Sequence, residues 1–357
     1  MRIVFLYTRL PDYFLRSIAY LTVNFPVEVT IIRYDADKNA QFVFESLPHI
    51  NLIYKSSFSS ISELSNFITE INPSMIYCSG WNDKEYMSII SHWNKKIPTI
   101  MGLDNPWENT FRKQVGVLLF RILNKMKFSH IWVAGYAQYE FAKKLGYPNY
   151  HIIYDLYSAD VIHFQKAYIG RMAKINVGQP YPKKLLFVGR FVPYKQPKVL
   201  VKAFNELLNE QKTGEWELVM IGEGPLKNEL KQFENNRIRI KDFIHPSKLV
   251  DEMENAGAFC LPSKSEHWGV VIHEAVSAGL PVITTQSTYA ASRFVFHNHN
   301  GFIFTDTQFL ELKSVLTSLF NMTDTELTDM STRSYHLSRD INHEKWAASL
   351  LSIIRSH

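Results

Sequence analysis

Short runs of β-branched and aromatic residues, each followed by a segment of helical periodicity, recur along the chain, and this alternation leaves few folds open. Runs at 2–7, 27–34, 51–54, 75–78, 98–101, 130–133 and 151–153 read as strands. Helical patterns at 61–71, 83–93, 111–127 and 136–145 fall between them. Strands that alternate with helices are joined by crossovers, and crossovers make parallel sheets. The pattern restarts after residue 183, with strand runs at 184–188, 217–221, 238–241, 258–261, 282–284 and 302–304. The stretch 167–182 mixes Gly, Pro, Lys and Gln without a clean period and reads as a linker. From Asp306 onward only helical periodicity remains. The expected architecture is α/β, with two Rossmann-like doubly wound domains facing across a cleft. The first is expected over 1–166 and the second over 183–341, with a last helix at about 342–357 packing back on the first. A length of 357 residues suits two domains of ordinary size.

Composition narrows the function classes. With 46% hydrophobic and 20% charged residues, the chain is globular rather than collagenous or disordered. A net charge of +5 is mild for a dedicated nucleic-acid binder and favours an anionic ligand or anionic lipid. Cys78 and Cys260 lie in apolar runs and read as buried, reduced thiols. No apolar run approaches the roughly 18 residues of a bilayer span, and the first residues read as a strand rather than a signal peptide. The expected location is the cytoplasm, with peripheral contact on the inner face of the membrane.

The densest cluster of polar chemistry is the run 262–275, PSKSEHWGVVIHEA, which continues to Gly279-Leu280-Pro281. A strand ends in a polar loop, and Gly269 opens a short helix that stops at Gly279. Backbone N–H groups at Gly269 and Val270 suit a phosphate or a sugar oxygen. Glu266 on the loop and Glu274 on the helix offer two carboxylates to one polyhydroxylated ligand. After another strand, Gly189-Arg190-Phe191-Val192-Pro193-Tyr194-Lys195 carries two cations on one loop. These suit a diphosphate leaving group, whose developing charge they would neutralise without a metal. The loop lacks the Gly-Lys-Ser/Thr ending of a P-loop. In Gly222-Glu223-Gly224-Pro225, the glycines permit close backbone approach and Pro225 starts a helix.

Together, Glu266 and Glu274, Arg190 and Lys195, the Gly222 loop, GLPVIT at 279–284 and Asn300-Gly301-Phe302 resemble glycosyltransferase family 4, retaining enzymes of the GT-B fold. The resemblance covers most of 184–304. It implies that Glu274 holds the donor ribose, that Glu266 lies at the donor sugar, and that Arg190 and Lys195 meet the diphosphate. It further implies that Gly189, Gly222, Trp268, Gly269 and Val270 line the donor, with Ile240 and Phe243 beside the nucleobase. Two positions depart from the family. Asp242 stands where Gly is usual, and Arg293 where an acidic residue is frequent.

The N-terminal half matches less well. Met101-Gly102-Leu103-Asp104-Asn105 follows a strand where many members carry His-Asp, so Leu103 replaces the His and Asp104 is the cleft carboxylate. Of the family's Asn-Gly-Val-Asp, only Asp160 survives in Tyr157-Ser158-Ala159-Asp160. Arg9 reads either as a cleft cation or as a solvated one, and Trp81 either as a sugar platform or as a packing residue. Asp35-Ala36-Asp37 has the form of a D-x-D metal motif, but Asp is also a common turn former, and the turn reading is preferred. His297 and His299 read as loop residues. In 111–128, Phe111, Val115, Leu118, Leu119, Ile122, Leu123 and Met126 form one stripe expected to face the core. Val117 and Phe120 lie off it beside Arg112, Lys113, Arg121, Lys125 and Lys127, which reads either as a contact with anionic membrane or as an ordinary packed helix with a solvated basic face, the membrane contact being preferred.

The expected function is retaining transfer of a sugar from a nucleoside-diphosphate sugar to a hydroxyl of a glycan or lipid-linked acceptor, in synthesis of a surface polysaccharide or glycolipid. Glu266, Arg190, Lys195 and Asp104 are the expected catalytic residues. No metal, no cofactor and no nucleic-acid partner are expected. The alternatives are another GT-B enzyme, an epimerase or phosphorylase, and a non-catalytic two-lobed sugar-binding protein.

Overall fold

The computed structural model describes residues 1–35, 47–123, 127–305 and 309–355. They divide into two compact units, Met1–Ser158 with Ile341–His357, and Ala159–Asp340.

In the first unit the described strands are β1 (Arg2–Tyr7), β2 (Glu28–Arg33), β3 (Ile50–Tyr54), β4 (Met75–Cys78), β5 (Thr99–Leu103), β6 (His130–Val133) and β7 (Ile152–Ile153). They form one parallel sheet in the order β3-β2-β1-β4-β5-β6-β7. Between them run α1 (Asp12–Asn24), α2 (Ile61–Ile71), α3 (Lys84–Trp93), α4 (Phe111–Leu123) and α5 (Tyr136–Lys144). Every residue of β4 and β5 is buried, so MIYC and, after Thr99, IMGL show no alternation of apolar and polar residues. β5 runs to Leu103, beyond the expected end at residue 101, and a Cβ at Gly102 would lie 2.0 Å from the Tyr77 hydroxyl, so the buried tyrosine favours glycine there.

The second unit contains β8 (Lys184–Val188), β9 (Glu217–Ile221), β10 (Ile238–Lys241), β11 (Ala258–Leu261), β12 (Val282–Thr285) and β13 (Gly301–Phe304). They pair in parallel in the order β10-β9-β8-β11-β12-β13. Its helices are α6 (Val161–Asn176), α7 (Pro197–Asn209), α8 (Lys227–Lys231), α9 (Leu249–Glu254), α10 (Val270–Ser277), α11 (Ala291–Phe294), α12 (Phe309–Phe320) and α13 (Asp324–Leu337). A final helix, α14 (His343–Arg355), packs on α1 in the first unit. Two doubly wound Rossmann-like units are therefore present, as the alternating pattern predicts.

Two expectations are corrected. The stretch read as a linker at 167–182 is largely helical, and the division between units falls after Ser158. Asp160 caps α6 by accepting from the His163 N–H at 3.2 Å. Arg171 of the same helix is fully buried, donating to the carbonyls of Met253 (2.9 Å), Ala278 (2.6 Å) and Gly279 (2.7 Å). A charged side chain inside obscures the helical period, because the buried face of α6 is partly polar.

The second correction concerns α4. Phe120 is buried, and its ring packs on Trp81 with centroids 5.0 Å apart. Val117 packs against the same core. The stripe expected to be inside is outside: Phe111, Val115, Leu118, Leu119, Ile122 and Leu123 are all exposed. Met126 and Lys125 lie outside the described residues. Periodicity identifies a helix's two faces, but the aromatic seat formed by Trp81, Phe141 and Tyr147 selects the one that packs.

Cys78 and Cys260 are buried free thiols. Burial raises the Cys78 thiol to about 12, and its S–H donates to the Gly80 carbonyl at 2.9 Å. Among the described residues no helix is long and apolar enough to cross a membrane.

Candidate functional site

In the second unit the strand order reverses between β8 and β11, neighbours from which the chain departs in opposite directions. Loops leaving the C-terminal ends of two such strands diverge and open a crevice, the usual ligand site of a parallel sheet. The loop after β8 holds residues 189–195, and the loop after β11 holds 262–269. The two are tied together, since the Lys264 N–H donates to the Tyr194 carbonyl at 2.7 Å. Within this pair Lys195 and Glu266 meet, Nζ to Oε2, at 2.5 Å. Their side chains are only 11% and 17% exposed, so the pair is largely withdrawn from solvent screening. Ser263 donates a longer bond, 3.4 Å, to the same carboxylate oxygen.

Arg190 is exposed on the same loop. It donates to the Tyr194 hydroxyl, and its guanidinium lies 5.7 Å from that ring's centre. The loop thus presents one cation neutralised by Glu266 and a second held beside an aromatic ring.

Glycines let these loops approach one another. A Cβ on Gly222 would lie 1.9 Å from the Gly189 carbonyl oxygen, a backbone atom unable to move aside cheaply. Glycine at 222 is thus required by the contact between the loops after β8 and β9. The Phe191 N–H continues this contact by donating to the Glu223 carbonyl at 2.7 Å. Gly269 caps α10 with φ of 93°, the left-handed region that favours glycine. A Cβ there would lie 2.9 Å from Cγ of Glu266, so the same glycine makes room for that carboxylate's stem.

The helix α10 begins directly after this cap, and its first N–H groups have no acceptor within the helix. Val270 is buried in its first turn, and Glu274 lies half-buried one turn on. His273 anchors the helix. Its Nδ1 accepts from the Ala159 N–H at 3.1 Å, Nε2 lies 3.0 Å from the Ser338 carbonyl, and its ring stacks on Phe294 at 4.1 Å. An accepting Nδ1 makes Nε2 the protonated nitrogen, so this histidine is neutral and structural. Trp268 is buried with its ring toward Phe294, which leaves backbone rather than indole for ligand contact at that position.

At the far side of the sheet, Ile240 is buried in β10 and Phe243 is exposed just beyond it. Lys227 pairs with Asp242 at 2.6 Å and with Glu223 at 2.5 Å. Lys227 therefore compensates the charge of the unusual Asp242. Arg293 is likewise accounted for by Asp340, 3.0 Å away within the same unit. His297 accepts from the Ile303 N–H at 3.1 Å, a loop-closing role.

Sequence reading missed the hydroxyl network under the β11 loop. Thr285 donates to the Ser263 carbonyl and lies 3.4 Å from the Thr288 hydroxyl, with all three residues buried. Threonines at the end of an apolar strand were the available signal.

In the first unit, Asp104 follows β5. Tyr157 donates to its Oδ2 at 3.2 Å, and Gln138 to its backbone carbonyl at 2.9 Å. Tyr7, Tyr77 and Tyr157 are buried around this position. Burial, reinforced by the Asp104 charge, holds all three phenols well above their usual range, so they remain protonated. Trp81 packs on Phe120 and Phe141. Asp35 accepts from Ser56 at 2.7 Å, and Asp37 lies outside the described residues.

Residues 173–336 match the family model described as "Glycosyl transferases group 1". A protein of Haemophilus influenzae named "Uncharacterized glycosyltransferase" is 28% identical over 167 residues, 46% of each chain. The matched stretch thus spans about half the length of that relative. Over 100% of both chains, the structure resembles Anabaena Alr3699/HepE, solved in complex with UDP, with a TM-score of 0.76 at 15% identity. Sucrose-phosphate synthase of Thermosynechococcus elongatus aligns with a TM-score of 0.75 at 13% identity, over 100% of this chain and 98% of that one. At such identities the likeness shows the fold, which is the GT-B class of two Rossmann-like domains.

Proposed function

We propose that this protein is a sugar-nucleotide-dependent glycosyltransferase of the family 4 type, transferring a sugar with retention to a hydroxyl of a glycan or lipid-linked acceptor. Synthesis of a surface polysaccharide or glycolipid is the setting this reading implies. The observation that carries it is the meeting of Lys195 and Glu266 at the strand-order reversal of the second unit. A cation for the diphosphate and a carboxylate for the sugar hydroxyls converge there, on the part of the chain that matches the family model.

In this reading the bond from the anomeric carbon to the diphosphate oxygen breaks as the bond to the acceptor oxygen forms on the same face. The acceptor proton passes to the leaving diphosphate. Arg190 and Lys195 stabilise the negative charge that develops there. Glu266 holds the reacting sugar and Glu274 the ribose hydroxyls. Gly269 and Val270 offer backbone N–H groups to the donor, and Ile240 and Phe243 flank the base. Acceptor recognition is assigned to the first unit, with Asp104, oriented by Tyr157, as the participating carboxylate.

The direct test is incubation with a panel of sugar nucleotides and hydroxyl acceptors, followed by product analysis. Glycosylated product with the donor's anomeric configuration supports the reading. An epimerised sugar nucleotide alone, or no turnover of any donor, overturns it. A nucleotide at 100 times its Kd should add about 2.7 kcal/mol of stability, which makes thermal shift a rapid first screen.

Two further outcomes are expected. Glu274→Ala should weaken nucleoside diphosphate binding by about 10- to 100-fold, since a hydrogen bond to a charged group contributes about 1.5–3 kcal/mol. Calorimetry showing unchanged affinity would remove the ribose assignment. EDTA should leave activity intact and Asp35→Asn should be tolerated, because Arg190 and Lys195 supply the positive charge. Activity that disappears with chelator and returns with Mn²⁺ would restore the D-x-D reading.

A further inference from the structure

We propose that the outward face of α4 seats the protein on an anionic lipid bilayer. This helix is attached to its unit by one narrow strip. Phe120 fills the aromatic seat, Val117 packs beside it, and Lys113 is tied down by Glu108 at 3.2 Å and the Pro106 carbonyl at 2.8 Å. The opposite side carries large apolar residues in open solvent. Phe111 is 82% exposed, Ile122 69%, Leu123 61% and Leu118 59%, with Leu119 and Val115 completing the stripe. Single exposed apolar residues need no explanation, but a contiguous helical stripe of them marks an interaction surface.

The charge around the stripe selects the occupant. Between Glu108 and Glu140 the sequence holds no Asp or Glu, while Arg112, Lys113, Arg121, Lys125 and Lys127 fall within that interval. Arg112 and Arg121 are exposed at the margins of the stripe. Arg121 also donates to the Lys144 carbonyl at 2.8 Å, which ties α4 to the end of α5. Among the described residues, an apolar stripe with arginines at its margins matches the acyl boundary and phosphate layer of an anionic leaflet. A second copy docked through a two-fold axis would instead set like charges against each other without carboxylates from this segment to pair them. Among the described residues no helix is long and apolar enough to cross a membrane, and one side of α4 is already seated on its unit through Phe120, so the helix lies along the surface. The face involved is the reverse of the one expected from sequence, since Val117 and Phe120 are inside.

The test reads binding and needs no turnover, so its failure is distinct from failure of the transferase reading. The full chain is co-sedimented with vesicles of phosphatidylcholine alone and of phosphatidylcholine with phosphatidylglycerol, and its mass is measured by light scattering. Binding to the anionic vesicles at low salt, weakened at high salt, is expected. The double variant Leu118→Ser/Ile122→Ser should lose at least about tenfold in vesicle affinity, with its melting temperature and nucleotide binding unchanged. Arg112→Gln/Arg121→Gln should erase the preference for the anionic lipid. Absent vesicle binding, or binding indifferent to both double variants, overturns the proposal. So does a dimer that ignores vesicles and is dissolved by Leu118→Ser/Ile122→Ser, which would assign the face to a second copy.

Discussion

Lys195→Met is expected to slow turnover by about 10²- to 10³-fold, the typical loss when one preorganised group facing developing charge is removed. The residue is placed for two duties. In the free protein its ammonium lies 2.5 Å from Glu266, and in the proposed reaction it meets the leaving diphosphate. Loss of the first duty leaves Glu266 without its cation in a poorly solvated position, so the carboxylate's alignment should suffer as well. Glu266→Gln should therefore lower turnover strongly while changing nucleotide affinity little. The double variant should be less impaired than the two separate losses added together, with a coupling of about 0.5–3 kcal/mol, because contacting groups are not independent. Rates at saturating donor and calorimetric nucleotide affinities separate these effects. Lys195→Met turnover within about threefold of the parent would refute the assignment of this pair to the reacting centre.

The largest expected effect of a substitution on stability lies elsewhere, at Trp346. This side chain on α14 is fully buried, and its indole N–H donates to the Leu156 carbonyl at 2.9 Å. Its ring meets Phe14 edge-on at 5.4 Å and lies 5.0 Å from Trp132, so it joins α1 to β6 of the first sheet. Trp346→Ala should cost the first unit about 3–5 kcal/mol, from lost burial and from the cavity left behind. Trp346→Phe should recover much of that loss while leaving the Leu156 carbonyl without its donor. Urea unfolding followed by circular dichroism is the measurement. A midpoint unchanged by Trp346→Ala would mean that α14 contributes nothing to this unit. Removal of 341–357 should be worse still, since Leu350, Leu351 and Ile353 also leave the core.

Much of this protein can be read along the chain, because parallel strands covered on both faces are written locally. MIYC is apolar throughout and TIMGL nearly so, and their strands emerge at these runs, β5 ending two residues later than expected. The Gly269 cap and the helix after it are equally local, since one left-handed residue stops the loop and starts α10. The candidate site is visible for the same reason. Its carboxylates and cations fall at or just after the C-terminal ends of strands, the usual ligand edge of such a sheet.

Composition, periodicity and turn chemistry thus determined the strands, most of the helices, the doubly wound class and the loops that hold Glu266, Glu274, Arg190 and Lys195. Tertiary structure alone decided who meets whom. Lys195 and Glu266 are 71 residues apart and touch because β8 and β11 are neighbours at the point of reversal, a pairing no local window contains. Arg171 faces inward from α6, where carbonyls from α9 and the end of α10 receive its guanidinium, so a charged residue sits on the buried face and the helical period is hidden in the sequence. The two faces of α4 are both apolar enough to bury, and Trp81, Phe141 and Tyr147 accept only the narrower one. Periodicity depends on residues a few positions apart, whereas burial depends on which surfaces from distant parts of the chain are present to receive them.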